Sequence, residues 1–306
     1  MKKLAIGCGI ALLLLVVAGF AAWKFLPPLI ERAYHSAVNQ AQNAALEKMG
    51  MAQFGSTTGT AYLTDIKGEV YVTHEGTRDE AVQGPVAEGD VIETEENSSV
   101  ALIWPDYGRT LVDENSSLTV TEATKAGSNL NVKLKLDGGR IWTRLERLLG
   151  AGSGFEVRSS NVVATVRGTS FGVDHRVDGN VNVQVAESKV GVQKMRTEFS
   201  NDAVGEMFLN PGQQAQVDES IMTAMPKPSA MTATMMNDPF IIEGNTKIDP
   251  ALMSWISKAM ELYNSIPQNR AMTPAEEQAL EQKAMELWST LPAEYQNQDT
   301  IDQVIK

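Results

Sequence analysis

Residues 155–192 read FEVRSSNVVATVRGTSFGVDHRVDGNVNVQVAESKVGV. Valine recurs at alternate positions, and Val162-Val163-Ala164-Thr165-Val166 and Val173-Asp174-His175-Arg176-Val177 flank a turn at Gly168. Period-two alternation with β-branched residues predicts consecutive short strands wrapped around that glycine turn. Working outward, the same period holds from about Ala61 to Val217, in runs such as Glu69-Val70-Tyr71-Val72, Val100-Ala101-Leu102-Ile103-Trp104 and Leu130-Asn131-Val132-Lys133-Leu134-Lys135-Leu136. Turn residues separate the runs at Glu88-Gly89-Asp90, Pro105-Asp106-Tyr107-Gly108 and Asp137-Gly138-Gly139. Many short strands at regular spacing predict an all-β sandwich, barrel or wrapped solenoid over residues 61–218.

The order of these pieces resembles the FecR periplasmic domain family. Gly68-Glu69-Val70, Gly89-Asp90-Val91-Ile92-Glu93-Thr94, Asp106-Tyr107-Gly108-Arg109, Gly138-Gly139-Arg140-Ile141-Trp142, Thr165 to Phe171 and Asn210-Pro211-Gly212-Gln213-Gln214 follow the family's sequence. Glycine before valine is common, so the ordered set carries the likeness and no single piece does. The resemblance implies structural roles for Gly68, Gly89, Asp90, Gly139, Gly168, Thr169, Phe171 and Gly212. It also implies an exported, antiparallel all-β module that binds rather than catalyses. Family members that regulate iron transport carry a cytoplasmic anti-sigma region before their membrane span. Here only Met1-Lys2-Lys3 precedes the apolar run, too little to fold, so the anti-sigma role is not expected to carry over.

That apolar run, Leu4 to Trp23, has the length of one bilayer span, and Lys2 and Lys3 before it favour a cytoplasmic amino terminus. The expectation is a cytoplasmic tip (1–3), an uncleaved transmembrane anchor (4–23) and an exported bulk, periplasmic or extracellular. The lone cysteine, Cys8, lies inside the span, so the exported part can form no disulfide. Pro27-Pro28 seats a helical stalk at 27–50, with small apolar residues on one face. After the β region, 219–246 reads as a Met- and Pro-rich linker and 247–306 as an acidic helical tail. In the tail Asp249-Pro250 and Thr273-Pro274-Ala275-Glu276 are two helix starts, which predicts a helical hairpin with Leu252, Ile256, Ala259 and Tyr263 facing Leu280, Ala284, Leu287 and Trp288. The hairpin is expected to dock on the β domain or a partner.

Residues 201–306 hold 15 of the acidic side chains against 6 basic ones, a balance of −9 within the chain's −12. Such a charge disfavours nucleic acid. Gly168-Thr169-Ser170-Phe171-Gly172 matches the nucleophile elbow of serine hydrolases, but strands are expected on both sides and the elbow needs a following helix. A hydrolase using Ser170 is thus the remote alternative to a non-enzymatic module in envelope signalling or assembly. A structural scaffold that oligomerises through stalk and tail is the nearer one. His35, His74 and His175 are scattered, so no catalytic residue, metal site or cofactor is assigned. Met222, Met225, Met231, Met235 and Met236 could bind soft copper, although adaptable packing explains them better. Lys133, Lys135, Arg140, Arg144, Arg147 and Arg158 make the middle of the β region locally basic; alternation explains several of them as the wet face of strands, ahead of a patch for an anionic glycan or lipid. Tyr107, Trp255 and Trp288 are candidates for an interaction surface toward a protein or glycan.

Overall fold

The computed structural model describes residues 61–291 except 83, 127–128, 147–149, 151, 167, 219–224 and 266–271. The expected tip, anchor and stalk, with Cys8 and His35, lie outside the described residues. Among those described, no helix is long and apolar enough to cross a membrane.

The strands are β1 (Ala61–Lys67), β2 (Val70–His74), β3 (Thr77–Glu80), β4 (Gly84–Val86), β5 (Val91–Thr94), β6 (Ser99–Trp104), β7 (Gly108–Val112), β8 (Ser116–Ala126) and β9 (Asn129–Leu145). They continue as β10 (Gly154–Ser159), β11 (Val162–Val166), β12 (Ser170–His175), β13 (Asn180–Glu187), β14 (Val190–Met195), β15 (Ala203–Leu209), β16 (Gln213–Asp218) and β17 (Ser229–Ala230). The helices are α1 (Ala233–Met236), α2 (Pro239–Asn245), α3 (Pro250–Asn264) and α4 (Pro274–Ser289). Two compact units result: one takes residues 59–81 and 85–248, and the other includes 249–306.

In the β unit the strands form two layers. One runs β1-β6-β7-β9-β12-β13-β16-β17. The other runs β3-β2-β5-β8-β9-β10-β11-β14-β15. Valines and leucines at alternate positions turn inward from both layers into one core, where the ring of Trp104 in the first layer meets Phe155 in the second edge-on at 5.6 Å. The expectation of a mainly β fold is met, and a sandwich describes it.

Strand β9 belongs to both layers. Its first half pairs with β8 and β10, and its second half, after Gly138-Gly139, with β7 and β12. Gly139 has φ 83°, and a Cβ there would come within 2.4 Å of the Ser116 Cα, so only glycine passes this corner. The corner also explains a departure from an antiparallel fold, the parallel pair β9–β10 with Gly154 opposite Asn131. Straight, β9 would separate Asn131 from Leu145 by about 46 Å. The link from Leu145 to Gly154 spans at most about 30 Å. Folding β9 over the core brings its end back within reach.

Residues 229–245, expected as linker, instead carry β17, α1 and α2. Strand β17 pairs with β16 at the rim of the first layer, and Met231 and Ile241 then bury themselves on Trp142 of β9. The segment is a strap across the outer face of that layer. It forms because Asp238 caps α2 through the Phe240 N–H at 2.9 Å, with Pro239 in the first helical turn.

In the other unit α3 and α4 form as expected. Asp249 accepts from the Ala251 N–H at 2.7 Å, and Thr273 and Glu276 make the reciprocal capping box, with Thr273 N–H to Glu276 at 2.7 Å. The buried residues of α3 are Met253, Trp255 and Ser257, while Leu252 and Ile256 are only half-buried. The side chains of Ala259, Tyr263, Ala284 and Trp288 lie outside those described.

Candidate functional site

Gly168 to Gly172 lies between two strands, β11 and β12, so no helix follows the serine as an elbow requires. Ser170 is fully buried: its hydroxyl accepts the Trp142 indole N–H at 2.9 Å and donates to the Asn245 side chain at 2.5 Å. Both hydrogen-bonding roles of the serine are taken by structure. Trp142 itself is wedged between backbones, for a Cβ on Gly172 would lie 2.4 Å from its ring and one on Gly244 of α2 2.3 Å from it.

The described histidines do other work. Asp174 and His175 separate as expected, Asp174 to Arg176 at 3.3 Å and His175 to Ser159 at 2.9 Å. That serine–histidine contact, 16 residues apart, has no signature in the sequence. The buried Ser159 hydroxyl donates to the Leu136 carbonyl at 2.9 Å, so His175 donates to the serine oxygen and cannot act as its base. His74 meets the buried Asp90 at 2.5 Å, and that hydrogen bond, helped by the charges of Asp90 and Glu75, raises its pKa against partial desolvation. Asp90 also accepts from the Ala87 N–H at 2.8 Å and so pins the turn before β5. No group of acidic, histidine or cysteine side chains among the described residues has the spacing to hold a metal ion.

Three arginines on the outer face of the first layer clamp the strap. Arg140 donates to Asp238 at the N-terminus of α2 at 2.5 Å and to Asp113 at 2.7 Å. Burial opposes its charge, yet these carboxylates outweigh it and raise its pKa. Arg109 donates to the Glu243 carbonyl at 2.6 Å, and the buried Arg144 to the Asn245 carbonyl at 2.9 Å, so cations satisfy the last carbonyls of the helix. Burial lowers the Arg109 pKa, against the charges of Glu243, Asp65 and Glu146. Arg144 also pairs with Glu146 at 2.8 Å and Glu187 at 3.1 Å. The wet-face reading of Arg140 and Arg144 is therefore corrected: they are interior to the contact. Lys133, Lys135 and Arg158 do lie in ion pairs, with Glu122, with Asp137 and Glu198, and with Glu156, respectively. Arg147 is outside the described residues.

Between α2 and strands β1, β6 and β7 runs a groove of about 320 Å³. Its floor is the Ala101 and Leu111 side chains with Val100 and Val112 between them, whose side chains turn into the core, and its walls carry Asp65, Lys67, Asp113, Arg140, Asp238, Phe240 and Glu243. The guanidinium of Arg140 lies 4.5 Å from the Phe240 ring centre. Asp65 has φ 49° where the β1–β6 register slips between Thr64 and Lys67, a bulge that re-aims one side chain. Its carboxyl is open to water on one side but ringed by protein, and desolvation pushes its pKa up against Lys67 and Arg109.

Of the expected motif residues, Gly68 has φ 72° and packs on Ser98, and Gly89 and Gly212 have positive φ in open turns. Gly168 has φ 121°, the Thr169 hydroxyl donates to the Glu187 carbonyl, and Phe171 is in the core against Phe155. Tyr107, expected at an interaction surface, is corrected: it is 2% exposed and packs in the core. Trp255 is likewise buried, its indole N–H donating to the Leu287 carbonyl at 2.8 Å. The methionines are dispersed: Met225 lies against Gly205, Met231 and Met235 against Trp142, and Met236 in solvent. Met222 is outside the described residues.

Sequence reasoning missed Asp65, Glu243 and the strap. Asp238-Pro239 carries the same helix-start chemistry as Asp249-Pro250 and would have found α2. Nothing local announces that Arg109 and Arg144 meet it from over 100 positions away.

Residues 90–191 match the family model described as FecR protein. Two crystal structures of a "putative anti-sigma factor" from Parabacteroides distasonis are similar at 20% identity, with TM-scores of 0.36 and 0.37, over 48% of this chain. The likeness spans 61% of those chains. No curated protein matches.

Proposed function

We propose, from the premise that this chain carries a FecR domain over residues 90–191, that it is a non-enzymatic binding module of envelope signalling or assembly. It is anchored by the apolar run 4–23 and exposes its β unit outside the cytoplasm. The observation that carries the non-enzymatic reading is Ser170, the one residue in a catalytic motif, whose hydroxyl is buried and shared between Trp142 and Asn245. A nucleophile must reach solvent and a base, and this serine reaches neither. The groove beside α2 is a concave surface of the β unit that a partner could occupy.

Two measurements test the reading. A serine-directed fluorophosphonate should leave the full chain unlabelled; labelling that disappears in Ser170→Ala would restore the hydrolase. Alkaline phosphatase fused after residue 306 should be active in the membrane fraction of a bacterial host. An inactive or soluble fusion overturns the anchored, exported orientation.

A further inference from the structure

We propose that the groove between α2 and strands β1, β6 and β7 receives a single basic side chain, lysine or arginine, from a partner polypeptide, with Asp65 as its anion. This rests on the reading of the chain as a binding module and names the chemistry of its partner.

Size argues first. About 320 Å³ lies at the lower end of ligand sites, enough for one long side chain and its flanking backbone. The lining argues second. An apolar floor formed by the Ala101 and Leu111 side chains suits a methylene stem, which lysine and arginine bury while keeping the charged head at the polar rim. Charge argues third. The rim carries four carboxylates, Asp65, Asp113, Asp238 and Glu243, against Lys67 and Arg140, and Arg109 behind the helix end brings the cations to three. Arg140 is spent on Asp113 and Asp238, and Lys67 stands 3.7 Å from Glu243 with both side chains about half exposed. Such a loose surface pair contributes little and yields to a better partner. Asp65 remains: among the described residues it makes no hydrogen bond or ion pair, and Lys67 and Arg109 act on it only at longer range. An entering cation gains that carboxylate and relieves the excess negative charge, whereas an entering carboxylate meets repulsion. Ile242, half exposed on the same helix, offers the partner's backbone an apolar neighbour.

The probe is the acetylated, amidated tripeptide Leu-Arg-Leu, with Leu-Glu-Leu as control, titrated into the methyl-labelled full chain in detergent micelles. The arginine peptide should shift the methyls of Ala101 and Leu111 saturably, and the glutamate peptide should not. Asp65→Asn should weaken binding at least tenfold; asparagine tolerates positive φ, so the bulge survives. Glu243→Gln should weaken it less, since it frees Lys67 to compete. Absent shifts, equal shifts with both peptides, or an unchanged Asp65→Asn titration each overturn the proposal. The phosphatase fusion reads orientation and the titration reads the groove, so either can fail alone.

Discussion

At the scale of single residues, hydrogen bonds rather than motifs decide what a side chain does. Ser170→Ala leaves the buried Trp142 indole N–H without an acceptor and the half-buried Asn245 side chain without its donor. An unsatisfied buried polar group costs about 1–3 kcal/mol, so urea unfolding of the variant should show a loss in that range. An unchanged midpoint would mean that the serine holds nothing. The sequence disclosed half of this: flanking strands argued against an elbow, but Asn245 lies 75 positions away and local pattern cannot place it. His74 gives a pH-dependent counterpart. Its pKa is raised by the hydrogen bond to Asp90, so its contribution is full below the unfolded value near 6.5 and fades as pH rises through the folded value. His74 is 44% exposed, which keeps the effect small. Thermal melts should lose stability through that window in the wild type, and the loss should flatten in His74→Gln.

At the scale of elements, glycine and capping positions were legible because their causes are local. The capping box at Thr273 and the proline start of α3 use neighbouring residues alone, and the start of α2 at Asp238-Pro239, though passed over, has the same local cause. Register and layer were not legible, since β9 looks like two alternating runs around a turn, Asp137-Gly138-Gly139, and is in fact one strand serving both layers. That turn reading was physically close: the glycines do bend the chain, but pairing continues through the bend on both sides. Gly139→Ala tests the corner. It forces a Cβ into left-handed backbone and against Ser116, penalties of about 1–2 and 1–3 kcal/mol, respectively. The variant should therefore fold with a lowered melting point or aggregate, while Gly89→Ala, in an open turn, suffers only the backbone penalty. Equal effects at the two positions would remove the packing argument.

At the scale of the whole molecule, the β unit ends later than its alternating sequence pattern does. Period two stops at Asp218, and composition then turns to methionine, proline and small residues, which in sequence reads as a tether. The strap is nevertheless part of the unit, because the outer face beneath it carries groups that water alone serves poorly. Trp142 is fully buried under Met231 and Ile241, and Arg144 is buried with a strap carbonyl as one acceptor. Uncovering a large apolar side chain costs about 1.5–3 kcal/mol, and losing a charged hydrogen bond a similar amount. Chain entropy released with the strap offsets part of this loss. For a unit of this size each kcal/mol moves the melting temperature by about 2–4 °C. Fragment 59–218 should thus melt about 5–10 °C below fragment 59–248, as followed by far-ultraviolet circular dichroism. Gly244→Ala in the longer fragment should reproduce much of that loss, since its Cβ would strike Trp142 and lift α2. Two fragments of equal stability, with Gly244→Ala silent, would return residues 219–246 to the status of a tether.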